Sequence, residues 1–488
     1  MSEISIIGSG FSGLSAACYA AKAGHKVTVF EKNNTIGGRA RSYTHDGFVF
    51  DMGPSWYWMP DVFENFFNDF GKSASDYYNL VQLDPGFQVF YDASEPLIVP
   101  KNIDDLYQIF ENIEVGSSNK LKLFLNEAEF KYNVAMKNLI FKPAISWIEF
   151  ISWNVIKGAA KSHMFKSMSS YVRSQFKDER LIALIEFPVL FLGAMPNKIP
   201  ALYSLMNYSA FVQGTWYPMG GMCKIVEAME ELAVSLGVDF KTNTPIEKLT
   251  VLDKKVISIE TQDNSYNTDY VIASADYHHV ESNLLDAEHR NYTEAYWQKK
   301  TFAPSSLIFY LGVNKKIKKL IHHNLFFDTD FNLHAKEIYD IPQWPTNPLF
   351  YVCCPSKTDS TVAPIGFENL FILIPIAAGL NDTEELRETY FFKIIKRLEN
   401  VCGEVIDEHI VYKKSYCVNN FITDYNSFKG NAYGLANTLN QTAVLKPSIK
   451  NKKVTNLLYA GQLTVPGPGV PPAIISGKIA VNQIENHN

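Results

Sequence analysis

Residues 4–13 read Ile4-Ser5-Ile6-Ile7-Gly8-Ser9-Gly10-Phe11-Ser12-Gly13, and Lys26-Val27-Thr28-Val29-Phe30 follows and ends at Glu31. The first run is a short apolar strand ending in a glycine turn. Leu14 to Ala23 is helix-compatible and closes at Gly24, a C-cap. The second run is β-branched, so the three pieces make one βαβ unit. Gly8 allows the tight turn, Gly10 lets a pyrophosphate approach the backbone, and Gly13 lets helix and strand pack closely. The helix N-terminus, with Ser12 in its first turn, offers free N–H groups and a positive dipole end to phosphates. Glu31 lies 18 residues after Gly13. There a carboxylate can accept from both ribose hydroxyls and disfavours a 2′-phosphate. A structural glycine turn with an unrelated Glu is the competing reading. The strand, the helix and the acid at these spacings favour a dinucleotide.

Gly37-Gly38-Arg39 adds a second glycine turn, with N–H donors and a charge near the pyrophosphate. This extension resembles the large flavoprotein oxidoreductase family that includes amine oxidases and carotenoid desaturases. The resemblance implies FAD rather than NAD, with Arg39 touching the diphosphate.

Near the other end, Asn456 to Ala460 is an apolar strand, followed by Gly461-Gln462-Leu463-Thr464-Val465-Pro466-Gly467-Pro468-Gly469-Val470 and a helix from Pro472 to Ile484. The stretch resembles the bacterial phytoene desaturase signature. Its helix N-terminus can face the pyrimidine end of the flavin and stabilise the anionic reduced form. Val465 stands where the family often has His, Gln or Thr.

Three further segments resemble the same family. Phe50-Asp51-Met52-Gly53-Pro54-Ser55 is similar to its flavin-side loop, and Gly214 to Met222 to its second flavin-contact loop. Gly237-Val238 to Pro245-Ile246 is similar to the strand pair that covers the adenine. The resemblance spans essentially the whole chain. Besides the residues named above, it implies cofactor contacts at Lys32, Trp56, Tyr217, Gly220, Gly221, Ile246 and Ala275.

Composition agrees with a folded globular protein. The chain has 488 residues, 47% hydrophobic and 14% aromatic, with a net charge of −6. That much apolar side chain excludes disorder, and the lack of positive excess argues against nucleic acid as a partner. Six cysteines without a CxxC pair read as small buried hydrophobes in a reducing compartment. No HExxH occurs, and His278-His279 and His322-His323 lack metal-ligand spacing, so no metal is expected. There is no GxSxG elbow, and Gly71-Lys72-Ser73 has Phe66 where a P-loop needs glycine.

The expected fold is α/β. A Rossmann-like FAD-binding domain with a parallel sheet, of glutathione-reductase-like or amine-oxidase-like type, is expected from residues 1–75, 205–290 and 425–488. It interleaves with a mixed-sheet substrate domain (76–104 and 291–424) and a mainly helical, membrane-facing region (105–204). Ser305 to Val313 and Leu370 to Ile376 read as strands of the second sheet, and Tyr390 to Val401 as a helix. No signal peptide is expected ahead of Ile4. Val454 to Gly477 is too proline-rich for a spanning helix. Pro143 to Ala160, with Trp147, Phe150 and Trp153, reads as a core helix or as one dipping into a membrane, with Lys157, Lys161 and Lys166 at its rim.

The resemblance implies an FAD-dependent carotenoid desaturase. It would dehydrogenate CH–CH bonds of a C40 polyene by hydride transfer to flavin N5, phytoene-type desaturation being favoured. A hydroxycarotenoid 3,4-desaturase or a carotenoid isomerase is the alternative within the family. A flavin amine oxidase and a flavin-free lipid-binding escort protein are more distant ones. The substrate is an apolar polyene, held by burial in a dry tunnel. Peripheral association with the inner, cytoplasmic face of the cell membrane is expected, and the electron acceptor, oxygen or quinone, is left open. No catalytic residue is assigned. Asp51 and Tyr217 adjoin flavin-contact motifs, and hydrogen bonds that hold the loops are the favoured role for both.

Overall fold

Glu3–Ile7 is the central strand of a five-stranded parallel sheet. The computed structural model describes residues 1–92, 95–150 and 166–486. On one side of Glu3–Ile7 lie Lys26–Phe30 and then Asp239–Lys241; on the other lie Tyr270–Ala273 and then Leu457–Tyr459. Ile6 sits between Val29 and Ile272 in register. Such strands are covered on both faces, so their inner positions, Ile4, Ile6, Val27, Val29, Val271, Ile272, Leu457 and Leu458, are apolar and buried. The helix Phe11–Lys22 packs along Val470–Glu485. A Cβ on Gly477 would lie 2.4 Å from the Ser12 carbonyl oxygen, so this contact admits no side chain there. Sequence segments more than 450 residues apart thereby share one core.

The second sheet has seven strands. Its order is Ile410–Tyr416, Ser305–Val313, Glu368–Ile376, Phe350–Cys353, His323–Phe326, Phe87–Phe90 and Leu97–Val99. Neighbours run antiparallel, except that His323–Phe326 runs parallel to Phe87–Phe90. Side chains alternate across it. Phe309, Leu311, Ile372 and Ile374 face the helix Glu384–Cys402, while Ile308, Tyr310, Phe371 and Tyr351 face the opposite side. That opposite side carries one wall of the cavity described below.

The helices Ile103–Ile113, Ser117–Asn138, Met168–Arg173 and Glu179–Glu186 lie between the strands Leu97–Val99 and Trp216–Pro218. The polar-aromatic stretch after the nucleotide turn holds a hairpin, Ser42–His45 with Phe48–Asp51, and a helix, Pro60–Asn68. Of Pro143 to Ala160, residues 151–160, with Trp153 and Lys157, lie outside the described residues, as does Lys161. In the described part, Trp147–Phe150 is a single 3-10 turn whose preceding N–H groups are held by Glu149. Among the described residues, no helix is long and apolar enough to cross a membrane.

Candidate functional site

A cavity of about 650 Å³ runs from the first glycine turn to the face of the seven-stranded sheet. Its polar end is built by the ends of the parallel strands. Gly8, Gly10, Ser12, Glu31, Lys32, Gly38, Arg39, Ile246, Ala275, Gly461, Gly469 and Val470 line it. Gly53, Pro54, Ser55 and Trp56 line it where the flavin-side loop passes. Four expected contacts stand elsewhere: Gly13, Tyr217, Gly220 and Gly221 do not line this cavity.

Gly13 has a packing role. A Cβ there would sit 2.0 Å from the Gly8 carbonyl oxygen, whereas a Cβ on Gly10 would meet nothing within 4 Å. The space beside Gly10 is where a pyrophosphate can reach the backbone.

Glu31 is buried and its carboxylate is fully engaged. One oxygen accepts from the Ser9 N–H (3.1 Å) and the Ser9 hydroxyl (2.6 Å); the other accepts from the Asn33 N–H (2.9 Å) and side-chain amide (2.8 Å). Rotation of the Ser9 hydroxyl frees a lone pair for a ribose hydroxyl. Ser12 pairs with the Ser274 hydroxyl at 2.6 Å. Lys32 turns to the Thr423 carbonyl and Asn426 rather than toward the glycine turn.

Arg39 donates to the Ser427 hydroxyl and the Asn431 carbonyl and lies over the Tyr425 ring at 4.9 Å. Its Nε is buried without a partner, and no carboxylate among the described residues lies within ion-pair distance of it. The neighbouring Arg41, by contrast, is paired with Asp424 at 2.8 Å. A buried guanidinium with a spare donor suits a diphosphate. Together the open Gly10, the acid at Glu31 and the spare donor of Arg39 fit FAD.

Asp51 and Tyr217 lie behind the flavin-side loop. The Asp51 carboxylate accepts from the Met222 and Cys223 N–H groups at 2.7 and 3.0 Å, at the start of the helix Cys223–Ser235. Burial pushes its pKa up to about 6 against those bonds. Gly221 leaves room for it: a Cβ there would meet the carboxylate at 2.9 Å. The Gly220 N–H donates to Asp359 at 2.6 Å. Asp51, Gly220 and Gly221 therefore hold the loops together. The Tyr217 ring is buried edge-on to His322, 4.6 Å between centroids.

The other end of the cavity is apolar and aromatic. Trp56, Phe187, Leu190, Leu325, Phe327 and Tyr351 line it. The helix Phe331–Tyr339 adds Phe331, His334, Ile338 and Tyr339, and Tyr433 lies opposite with Ser306. His334 accepts from the Leu349 N–H on Nδ1 (3.0 Å) and bonds the Pro375 carbonyl through Nε2 (2.8 Å), which makes Nε2 the protonated nitrogen. Burial lowers its pKa to about 4. The segment 421–433 and this helix carry no motif in the sequence. Their hydroxyls and aromatics are dispersed in the chain, with no local spacing to mark a pocket wall.

The flavin containing amine oxidoreductase family model matches residues 11–485. A carotenoid 3,4-desaturase of Haloarcula japonica is 39% identical over 477 residues, covering 98% of this chain and 96% of its own. A 4,4'-diapophytoene desaturase (4,4'-diaponeurosporene-forming) of Staphylococcus aureus is 29% identical over 495 residues, covering 99% and 98%. Among solved structures, an oxidoreductase from Methanosarcina mazei has the same fold, with a TM-score of 0.64, 17% identity and coverage of 99% and 100%. With FAD accommodated at the polar end and kinship extending along the whole chain, this protein belongs to the flavin containing amine oxidoreductases and, within them, to the carotenoid desaturases.

Proposed function

We propose that this protein is an FAD-dependent carotenoid desaturase, and that its substrate is a carotenoid carrying an end-group hydroxyl, desaturated at the 3,4 position. The desaturase class rests on the family. The observation that carries the substrate reading is the cavity itself, which joins the nucleotide turn to an apolar, aromatic wall in one volume. FAD, when bound, would supply the acceptor for the hydride that leaves the CH–CH unit. The chain's own residues do the rest. Gly8, Gly10, Ser12, Glu31 and Arg39 would hold the dinucleotide, and Gly53 to Trp56, Gly461, Gly469 and Val470 line the same cavity. Trp56, Phe187, Leu325 and Phe327 hold the polyene by burial and exclude water.

Phytoene is wholly apolar. The wall is not: the Ser306 hydroxyl is buried and interacts with the Tyr433 hydroxyl, and the Tyr339 side chain shares that part of the cavity. A substrate hydroxyl would find hydrogen-bonding groups there, each bond worth about 0.5–1.5 kcal/mol. The 3,4-desaturase relative supports the same choice over phytoene-type desaturation. Incubation with phytoene and with a hydroxylated carotene tests it, the products' absorption maxima counting the double bonds added. Conversion of phytoene alone would overturn the 3,4 reading; no bleaching of the flavin by either would overturn the desaturase.

Peripheral membrane association is the second part of the proposal. Ile145, Trp147 and Ile148 are neighbouring and exposed, 51%, 59% and 76%. Substituting Trp147 and Ile148 by Ser is expected to reduce sedimentation with liposomes; unchanged sedimentation would sink the idea.

A further inference from the structure

Away from the cofactor cavity, His322, His323 and Cys353 converge in the interior. Their donor atoms all lie within 4.8 Å of one another, and all three residues are buried. Strand register brings them together: His323 is directly opposite Cys353 in the antiparallel pair, so both project from the same face. The two imidazole rings lie 4.4 Å apart.

Each ring uses its Nδ1 and leaves Nε2 buried without a partner. His323 Nδ1 lies 2.6 Å from the Tyr351 hydroxyl, which also meets Ser55 at 3.0 Å and the Cys353 thiol. In the tautomer with the proton on Nδ1, Nε2 carries a free lone pair. His322 Nδ1 lies 2.8 Å from the Thr358 hydroxyl. This is how metal-binding histidines are held: an outer partner on one nitrogen orients the other. A small void of about 20 Å³ adjoins the cluster, walled by His322, Cys353, Tyr217, Asp51, Ser55 and Met222 among others. The Tyr217 hydroxyl is a further buried group without a partner in that wall.

We propose that His322, His323 and Cys353 are the ligands of a structural metal site for a thiolate- and imidazole-binding cation, zinc(II) or copper(I). Two neutral imidazoles and one sulfur are the donor set such ions take. Bond lengths of about 2.0–2.1 Å to nitrogen and about 2.3 Å to sulfur require the donors to close by roughly an ångström, within reach of small side-chain rotations. The void leaves room for a fourth ligand, the Tyr217 oxygen or one water. Burial excludes bulk solvent, so the site is structural rather than hydrolytic. Its consequence falls on the flavin-side loop. Trp56 stacks on the His323 ring at 4.1 Å and 10° between planes, and Ser55 is joined to it through Tyr351. A metal at this point ties residues 55 and 56, both in the cofactor cavity wall, to the seven-stranded sheet.

The test uses the full-length chain, purified without a metal-affinity step, supplied with Zn2+ or, under reducing conditions, Cu+, and then desalted. Elemental analysis is expected to give about one equivalent per chain, and X-ray absorption a first shell with nitrogen near 2.0–2.1 Å and one sulfur near 2.3 Å. Cys353→Ser should lower retention at least tenfold, and a chelator should lower the melting temperature of the wild type. If the variant does not fold, the wild-type absorption spectrum decides. Retention of less than about a tenth of an equivalent, a shell without sulfur, or full retention in a folded Cys353→Ser variant would overturn the proposal and leave a buried water as the occupant of the void.

Discussion

Glu31 holds Ser9 twice, through the backbone N–H at 3.1 Å and the hydroxyl at 2.6 Å, and so fastens the first glycine turn to the end of the second strand. The same carboxylate is the expected ribose ligand. Glu31→Gln removes its charge and presents an amide N–H where an acceptor is needed. Hydrogen bonds to charged groups are worth about 1.5–3 kcal/mol, so the Kd for FAD should rise roughly ten- to a hundredfold. Ser9→Ala keeps the carboxylate and should change Kd by less than about threefold. Titration of apoprotein with FAD, followed by flavin fluorescence, measures both.

The two glycines flanking the turn should separate binding from folding. Gly10→Ala adds a methyl group into open space, so the melting temperature of the apoprotein should stay within about a degree or two while FAD affinity collapses. Gly13→Ala drives a methyl group onto the Gly8 carbonyl oxygen and should destabilise the apoprotein by about 1–3 kcal/mol. Equal melting temperatures for the two variants would contradict this division.

Acid should weaken the fold through His334. Its folded-state pKa is lowered by burial from 6.5 to about 4. A base with a lowered pKa contributes stability that is whole above pH 6.5 and is lost as pH falls toward 4. At pH 5 this amounts to about 2 kcal/mol. Asp51 acts in the opposite sense, because its raised pKa of about 6 makes stability fall as pH rises from about 4 to 6. The comparison must therefore be internal: His334→Gln should flatten the slope of melting temperature against pH between 6.5 and 4, relative to the wild type.

The hydroxyls of the apolar wall should set substrate preference. Tyr433→Phe and Ser306→Ala remove only oxygen atoms from that wall. Each should lower kcat/KM for a hydroxylated carotene roughly five- to tenfold, about 1 kcal/mol, with less effect on a carotene lacking the hydroxyl. An equal loss on both substrates would point to packing instead.

The dinucleotide half was legible because its constraints are local. Gly8, Gly10, Gly13, Gly38 and Glu31 are tied to backbone geometry within about 30 residues, and that geometry admits few residue types. At Gly220 and Gly221 the structure adds what the resemblance does not carry: the Gly220 N–H donates to Asp359 and Gly221 leaves room for Asp51. The strands Ser305–Val313 and Glu368–Ile376 were readable from continuous apolar runs, although not which side chains of each strand face the cavity.

By itself the sequence determined the βαβ unit, the FAD-type glycine turns, the C-terminal strand–loop–helix and the family they belong to. Short-range backbone sterics dictate residue type at each of those positions. Only the tertiary structure decided that Tyr425 lies over Arg39, that Phe331–Tyr339 closes the apolar wall, and that His323 faces Cys353 across a strand pair. Those contacts join segments 30 to nearly 400 residues apart. They are set by sheet register and by how two sheets share a cavity, and a register shift of one residue would turn every such side chain to the opposite face.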